Sequence, residues 1–143
     1  MFIGEYQYSL DDKGRLALPT KFRQSLSKGA VVTRGLDGCL WLFTKDEWKN
    51  LAEKLVKMPI SQANSRAFSR LMLAGAMDVS LDKLGRIIIP EYLRQYAGFS
   101  KKVVMAGLYS RLEIWDEDKW TQYKQNTEKD STDIAEQIGE LGI

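Results

Sequence analysis

Residues 9–19 read SLDDKGRLALP, and residues 80–90 read SLDKLGRIIIP. Six positions carry the same amino acid in both stretches at one constant offset. The similarity continues further along the chain, where Arg23-Gln24 corresponds to Arg94-Gln95. Self-similarity of this kind is the signature of a duplicated structural unit. The sequence therefore predicts two copies of one small unit, which together fill most of the chain.

Each copy shows the same order of local signals: strand, tight turn, strand, short helix, strand, turn, strand and helix. In the first copy, Pro19 is placed to open the short helix, and Thr44 with Glu47 three residues later forms a capping-box pattern for the final helix. The expected strands cover residues 6–10, 16–18, 31–32 and 39–43 in the first copy and 79–81, 86–89, 103–106 and 111–115 in the second.

These elements predict an α+β fold that is mainly β. An isolated two-stranded hairpin is marginally stable in water, so the two copies are expected to complete each other's sheets by interleaving strands. The expected product is a small, closed or nearly closed, pseudo-symmetric β-barrel with helices outside it. We divide the chain into a first repeat (1–57), a linker helix (58–74), a second repeat (75–125) and an acidic C-terminal tail (126–143).

The composition argues against an enzyme. Histidine is absent, which removes the usual general base and the usual zinc ligand, and the single cysteine, Cys39, lies in an apolar run typical of a core strand. We therefore expect no catalytic residue, metal or cofactor.

No apolar run approaches the roughly 20 residues needed to cross a bilayer, and residues 1–8 do not resemble a signal peptide, which predicts an intracellular protein.

The net charge of +2 conceals an asymmetry along the chain. Residues 1–115 carry 18 Lys and Arg against 11 Asp and Glu, a net charge of +7, whereas residues 116–143 carry 3 against 8, a net charge of −5. A basic body favours a polyanionic partner, because neutralising phosphates releases counterions. The same excess charge also occurs on ordinary solvated surfaces.

The pattern Asp-x-x-Gly-Arg occurs once in each copy, at 11–15 and at 82–86. Its glycine can adopt positive φ in a tight turn, and its aspartate can accept hydrogen bonds from turn amides, so both residues are expected to fix the turn. The arginine would then emerge from a rigid turn, ready to bind phosphate oxygens or a guanine edge. The alternative is that Asp and Arg form a salt bridge with a purely structural role. The turn-fixing residues are Asp11, Gly14, Asp82 and Gly85.

If the turns bind a nucleic acid and are not only structural, they also supply the candidate contacts. Arg15 and Lys13 rank first and Arg86 and Lys83 second, while Lys21 and Arg23 on the short helix could add phosphate contacts or belong to a solvated face. Two other groups are assigned elsewhere. Arg66 and Arg70, one helical turn apart in the linker, fit an inter-subunit or inter-repeat salt bridge, and the aromatic residues Trp41, Phe43, Trp115 and Trp120 fit the core or a subunit interface.

Several stretches together resemble the MraZ family: MFIGEY at 1–6, DDKGR at 11–15, TRGLD at 33–37, and AGA at 74–76 before the second DKLGR. MraZ proteins are similar to AbrB and MazE in their swapped-hairpin unit, but carry two units in one chain. The resemblance therefore implies a double-split β-barrel. The family's Asp-x-x-x-Arg positions correspond to Asp11 and Arg15, and to Asp82 and Arg86. The chain departs from the family at Leu84, where a polar residue is common.

The resemblance also implies a function. It implies a bacterial transcriptional regulator, here expected to be a repressor, that assembles into a ring and binds repeated operator boxes ahead of the division and cell-wall gene cluster containing its own gene. The expected partners are double-stranded DNA with direct repeats and further copies of the chain, with an octamer as the expected ring. A membrane and a small-molecule substrate are not expected, and the expected location is the cytoplasm, at the nucleoid.

Two other functions fit the sequence less well. A pure protein-interaction ring would use the acidic tail as its contact. An antitoxin-like module would need a toxin-binding extension, for which the tail could serve, although the complete second repeat argues against it.

Overall fold

The computed structural model of the chain describes residues 1–142, so Ile143, the last residue of the predicted tail, lies outside the described residues. The eight strands are β1 Phe2–Ser9, β2 Arg15–Ala17, β3 Ala30–Arg34, β4 Leu40–Thr44, β5 Met77–Val79, β6 Arg86–Ile88, β7 Lys102–Tyr109 and β8 Leu112–Asp116. The five α-helices are α1 Lys45–Val56, α2 Ala63–Ser69, α3 Glu91–Ala97, α4 Glu117–Lys129 and α5 Ser131–Gly139. A 3₁₀ turn spans Thr20–Phe22 and a π-helical segment spans Arg70–Ala74.

The two repeats are interleaved, as predicted. Strands follow the order β1-β7-β8-β4-β3-β5 in a six-stranded sheet, and β2 pairs with β6 in a separate two-stranded ribbon. Thus β1, β2, β3 and β4 of the first repeat pair antiparallel with β7, β6, β5 and β8 of the second. Most strand pairing crosses between the repeats, so neither repeat contains a complete sheet by itself. The α+β class with two tandem units is confirmed.

The predicted hairpins differ from the observed ones in how their arms pair. The amide of Asp11 donates to the carbonyl of Arg15 at 3.1 Å, and the amide of Gly14 donates to the carbonyl of Asp11 at 3.0 Å, which closes the turn. Beyond the turn, however, β1 pairs with β7 and β2 pairs with β6. Strand β1 pairs along its whole length with the equally long β7, and the β2–β6 pairing buries Leu16 and Ile87 together.

Within residues 1–142 the hydrogen-bonded ladder of the large sheet ends at β1 and β5, and the ribbon packs beside it over a common core. Leu16 and Ile87, paired across the ribbon, are fully buried in this core. Hydrogen bonds from the Leu18 amide to the Gly85 carbonyl (3.0 Å) and from the Ile89 amide to the Gly14 carbonyl (2.9 Å) continue the ribbon across the turns. The core therefore draws equally on both repeats and depends on their association.

The helices lie outside the strands. Thr44 Oγ1 accepts from the Glu47 amide at 3.1 Å, so the predicted cap of α1 is present. The predicted linker helix (58–74) is divided into α2 and the π-helical segment, while the predicted tail contains the end of α4 and all of α5. Cys39 is buried, and desolvation raises the pKa of its thiol to about 12. Among the described residues, no helix is long and apolar enough to cross a bilayer.

Candidate nucleic-acid interface

The first Asp-x-x-Gly-Arg turn is built around one carboxylate. Asp11 Oδ1 accepts from the amides of Lys13 (2.9 Å) and Arg15 (2.8 Å), and Oδ2 accepts from Arg15 Nε at 2.5 Å. These hydrogen bonds, with the Arg15 amide contributing most, lower the pKa of Asp11 to about 2. The carboxylate is consequently ionised at neutral pH, and it fixes both the turn and the direction of the arginine side chain.

The second turn has the same geometry. Asp82 Oδ1 accepts from the amides of Leu84 and Arg86, each at 2.9 Å, and Oδ2 accepts from Arg86 Nε at 2.8 Å. Hydrogen bonding, chiefly from the Arg86 amide, again lowers the pKa of the aspartate. Leu84 therefore occupies the place of Lys13 and exposes 64% of its surface, which makes the tip of the second turn apolar with Lys83 as the adjacent cation.

The two arginines lie on one face of the β2–β6 ribbon. Arg15 is opposite Ile88 and Ala17 is opposite Arg86, whereas the central pair between them faces the core. Because side chains alternate along a strand, these four residues share the outer face, with the two arginines on a diagonal. Diagonal neighbours of this kind are about 7–8 Å apart. The fold thus brings the motif of each repeat to a single surface.

The salt-bridge alternative is present in the structure but leaves donors available. Arg15 and Arg86 keep 32% and 28% of their side-chain surface exposed. Arg15 donates from Nε to Asp11, and Arg86 donates from Nε to Asp82. Within residues 1–142, the Nη atoms of both arginines donate to no protein atom. An aspartate that holds Nε orients the guanidinium without occupying its outer fork. The ion pair and a ligand-binding role are therefore compatible.

A second arginine pair, which the sequence analysis did not assign together, supports the turns. Arg23 Nε donates to the Leu18 carbonyl and Arg94 Nε donates to the equivalent Ile89 carbonyl, both at 2.9 Å. Each guanidinium also lies against the turn glycine of the other repeat, so a Cβ on Gly14 would come within 2.9 Å of Arg94 Cζ. The available signal was the repeated Arg-Gln dipeptide. The sequence analysis gave Arg23 either a phosphate contact or a place on a solvated face, and the phosphate contact stays a prediction.

The side chains of the remaining candidate lysines differ in how strongly neighbouring residues restrain them. Lys13 and Lys83 are exposed at the turns. Lys21 Nζ lies 5.1 Å from the centroid of the Tyr6 ring, a cation–π geometry that restrains the side chain while leaving its charge at the surface. These positions fit phosphate contacts around the central arginines, a role that stays a prediction.

The arginines and aromatic residues that the sequence analysis assigned to roles other than DNA binding lie outside the β2–β6 ribbon. Arg66 Nη1 donates to the Ile60 carbonyl at 2.9 Å, and neither Arg66 nor Arg70 forms an ion pair within residues 1–142, so the inter-repeat version of the predicted salt bridge is absent there. Trp115 is buried and packs against Trp120, in agreement with a core assignment.

Two interleaved swapped-hairpin units in one chain, with duplicated Asp-Arg turns, define the class of tandem-repeat swapped-hairpin proteins. Sequence comparison agrees: the model of the MraZ protein family, which is described as antitoxin-like, matches residues 1–71 and again residues 72–139. The chain belongs to the MraZ family.

Curated relatives give the general function of the family. The chain is 46% identical to the transcriptional regulator MraZ of Clostridium acetobutylicum, 43% identical to that of Syntrophomonas wolfei and 46% identical to that of Acetivibrio thermocellus. Each comparison covers all of this chain and all of the relative. The resemblance inferred from the motifs is confirmed, and the protein is a member of a family of transcriptional regulators.

Proposed function

We propose that the protein is a sequence-specific DNA-binding repressor that acts as a ring of identical subunits on tandem operator boxes. The expected targets are its own gene and the surrounding division and cell-wall cluster, and the expected location is the nucleoid in the cytoplasm. The observation that carries the proposal is the convergence of Arg15 and Arg86 on one ribbon face, each held at Nε by an aspartate.

This face has the dimensions and chemistry of a reader of the major groove. The major groove admits a two-stranded β-ribbon, and a guanidinium fork binds the O6 and N7 atoms of guanine with two hydrogen bonds. Two arginines about 7 Å apart would span about two base-pair steps of 3.4 Å. Because their Nε atoms are already restrained, little side-chain freedom remains to be lost on binding.

Ring assembly would supply affinity that a single ribbon lacks. One ribbon offers two guanidiniums and a few lysines, so a single box should bind weakly and in a salt-dependent manner. Subunits that are held together engage further boxes at high effective concentration, which raises the overall affinity by roughly 10²-fold or more. Repeated boxes at a regular spacing are therefore the natural target.

The test is direct titration of purified protein with DNA from upstream of its own gene that contains one, two or three boxes. Affinity should rise steeply with box number and fall linearly with the logarithm of salt concentration, by about 0.9 per neutralised phosphate. Scrambled boxes of equal length are the control. Equal affinity for all box numbers, or for scrambled DNA, would contradict the proposal.

The family model is described as antitoxin-like, which favours one alternative function: the acidic C-terminal region binds a protein partner. The same salt titration separates the two functions. A complex that forms through the C-terminal region should survive neutralisation of Arg15 and Arg86, because those residues lie on the ribbon and not on the tail helices.

A further inference from the structure

The C-terminal helix α5 presents an amphipathic surface that is left uncovered by residues 1–142. Ile134 and Ile138 of α5, and Leu141 in the turn that follows the helix, expose 38%, 40% and 78% of their surface. The segment 130–142 carries four acidic residues and no Lys or Arg, and every residue from 125 to 142 is exposed. A nine-residue helix with no fully buried side chain is marginal in water, so this helix needs a surface to pack against.

A groove of matching chemistry lies between the end of α1 and the α2–π segment. Its volume is about 340 Å³, and its apolar lining includes Leu55, Val56, Ile60 and Leu73, of which Val56 and Ile60 expose 67% and 81% of their surface. Arg66 and Arg70 line the same groove, and the first is held over it by its hydrogen bond to the Ile60 carbonyl. The groove therefore combines apolar side chains with two cations that lack an anionic partner within residues 1–142.

The contacts of α4, the helix that precedes α5, lie at the β1 side of the sheet. Helix α4 packs on β7 and β8, and Trp120 and Lys124 in its second and third turns donate to the Glu5 carboxylate of β1 at 2.9 and 3.2 Å. This contact directs α4 toward the β1 edge. The groove elements pack over β4 and β3, and strand β3 lies four positions from β1, about 19 Å away at the usual strand spacing.

We propose that α5 of one subunit docks in the α1–α2 groove of a neighbouring subunit, with Ile134, Ile138 and Leu141 in the groove and acidic side chains against Arg66 and Arg70. The tail and the groove are two different surfaces of the fold, so the contact is head-to-tail, and a head-to-tail contact generates a ring when its rotation closes. The inference rests on the ring of the proposed function and assigns its subunit contact.

The first experiment measures molar mass by light scattering for the full chain and two double variants. Ile134→Ser/Ile138→Ser removes the apolar stripe, and Val56→Ser/Ile60→Ser alters the groove; both pairs are exposed, so circular dichroism should show an unchanged fold. We expect the ring mass to fall to that of a single chain in both variants. The control Thr132→Ala changes the opposite face of α5 and should retain the ring.

Mixing the two defective variants tests whether the contact joins different chains. In the mixture, the groove variant supplies an intact tail and the tail variant supplies an intact groove. A head-to-tail contact therefore predicts dimers that neither variant forms alone. The charge component is tested by Arg66→Glu/Arg70→Glu, which should dissociate the ring, and by combining it with Asp133→Arg/Glu140→Arg, which should restore assembly.

The outcomes separate this inference from the proposed function. If the unaltered chain forms a ring and both serine variants retain its mass, the tail–groove contact is wrong while the ring stands. If the unaltered chain has the mass of one subunit at all concentrations, the ring itself is wrong. Loss of amide protection in α5 without a change in mass would show docking within one chain and would also overturn the inference.

Discussion

Replacing Arg15 with alanine is the sharpest perturbation of the proposed interface. The substitution removes a guanidinium whose Nε donates to Asp11 and whose Nη atoms donate no hydrogen bond within residues 1–142. The turn should survive, because Asp11 still accepts from the amides of residues 13 and 15. An exposed ion pair of this kind contributes little to folding, so the melting temperature should stay close to that of the unaltered protein.

The expected loss of binding follows from the chemistry of the removed fork. A bidentate arginine–guanine contact is worth about 1–3 kcal/mol, which corresponds to a loss of roughly 5- to 150-fold on a single box. If two subunits engage two boxes, the losses multiply to at least about 25-fold. Arg15→Lys retains the charge but not the fork, so it should recover salt-dependent binding while losing most discrimination between specific and scrambled boxes.

Fluorescence anisotropy titrations at several salt concentrations provide the assay. Lys49→Ala is the matched control, because it removes one exposed positive charge from α1 and leaves the ribbon unchanged. The reasoning is refuted if Arg15→Ala weakens single-box binding by less than twofold, or by no more than Lys49→Ala does. Thermal melts of all three variants must be compared to show that folding is unchanged.

Three further predictions follow. Gly85→Ala should destabilise the fold by about 1–3 kcal/mol in urea titrations, because φ is +74° and the new Cβ would overlap the Arg23 side chain; an unchanged midpoint would contradict this. The pKa of Asp11 lies at about 2, below its ordinary 3.8, so its contribution to stability should be complete above about pH 4 and lost as pH falls through 2; Asp11→Asn should flatten that part of the acid unfolding curve. Ile88, opposite Arg15 and 57% exposed, is placed to contact a thymine methyl group. Replacing thymine by deoxyuridine in the boxes should therefore weaken binding of the unaltered protein but not of Ile88→Ala, and equal losses for both would argue against the contact.

Much of the architecture could be predicted because the relevant signals are local or duplicated. The repeated Asp-x-x-Gly-Arg turn, the Thr44 cap and the marginal stability of a lone hairpin together indicated two interleaved units. Those signals depend on backbone chemistry within a few residues. They did not indicate that the arms of each turn would separate and pair with strands of the other repeat along their whole length.

The common face of the two arginines could not be predicted, because it depends on the register between β2 and β6. A shift of one residue would turn Arg15 or Arg86 toward the core and expose Leu16 or Ile87 instead. The crossing of Arg23 over the turn of the other repeat has the same origin, since it requires the three-dimensional approach of segments that are distant in the chain.

The central claim is that both guanidiniums enter one groove of the duplex on a single ribbon. A structure of the protein bound to DNA with two boxes tests it most directly. We expect the β2–β6 ribbon in the major groove, with Nη atoms of Arg15 and Arg86 within about 3 Å of base-edge or phosphate acceptors. A complex in which the ribbon faces a neighbouring subunit or solvent, while DNA contacts another surface, would contradict the account.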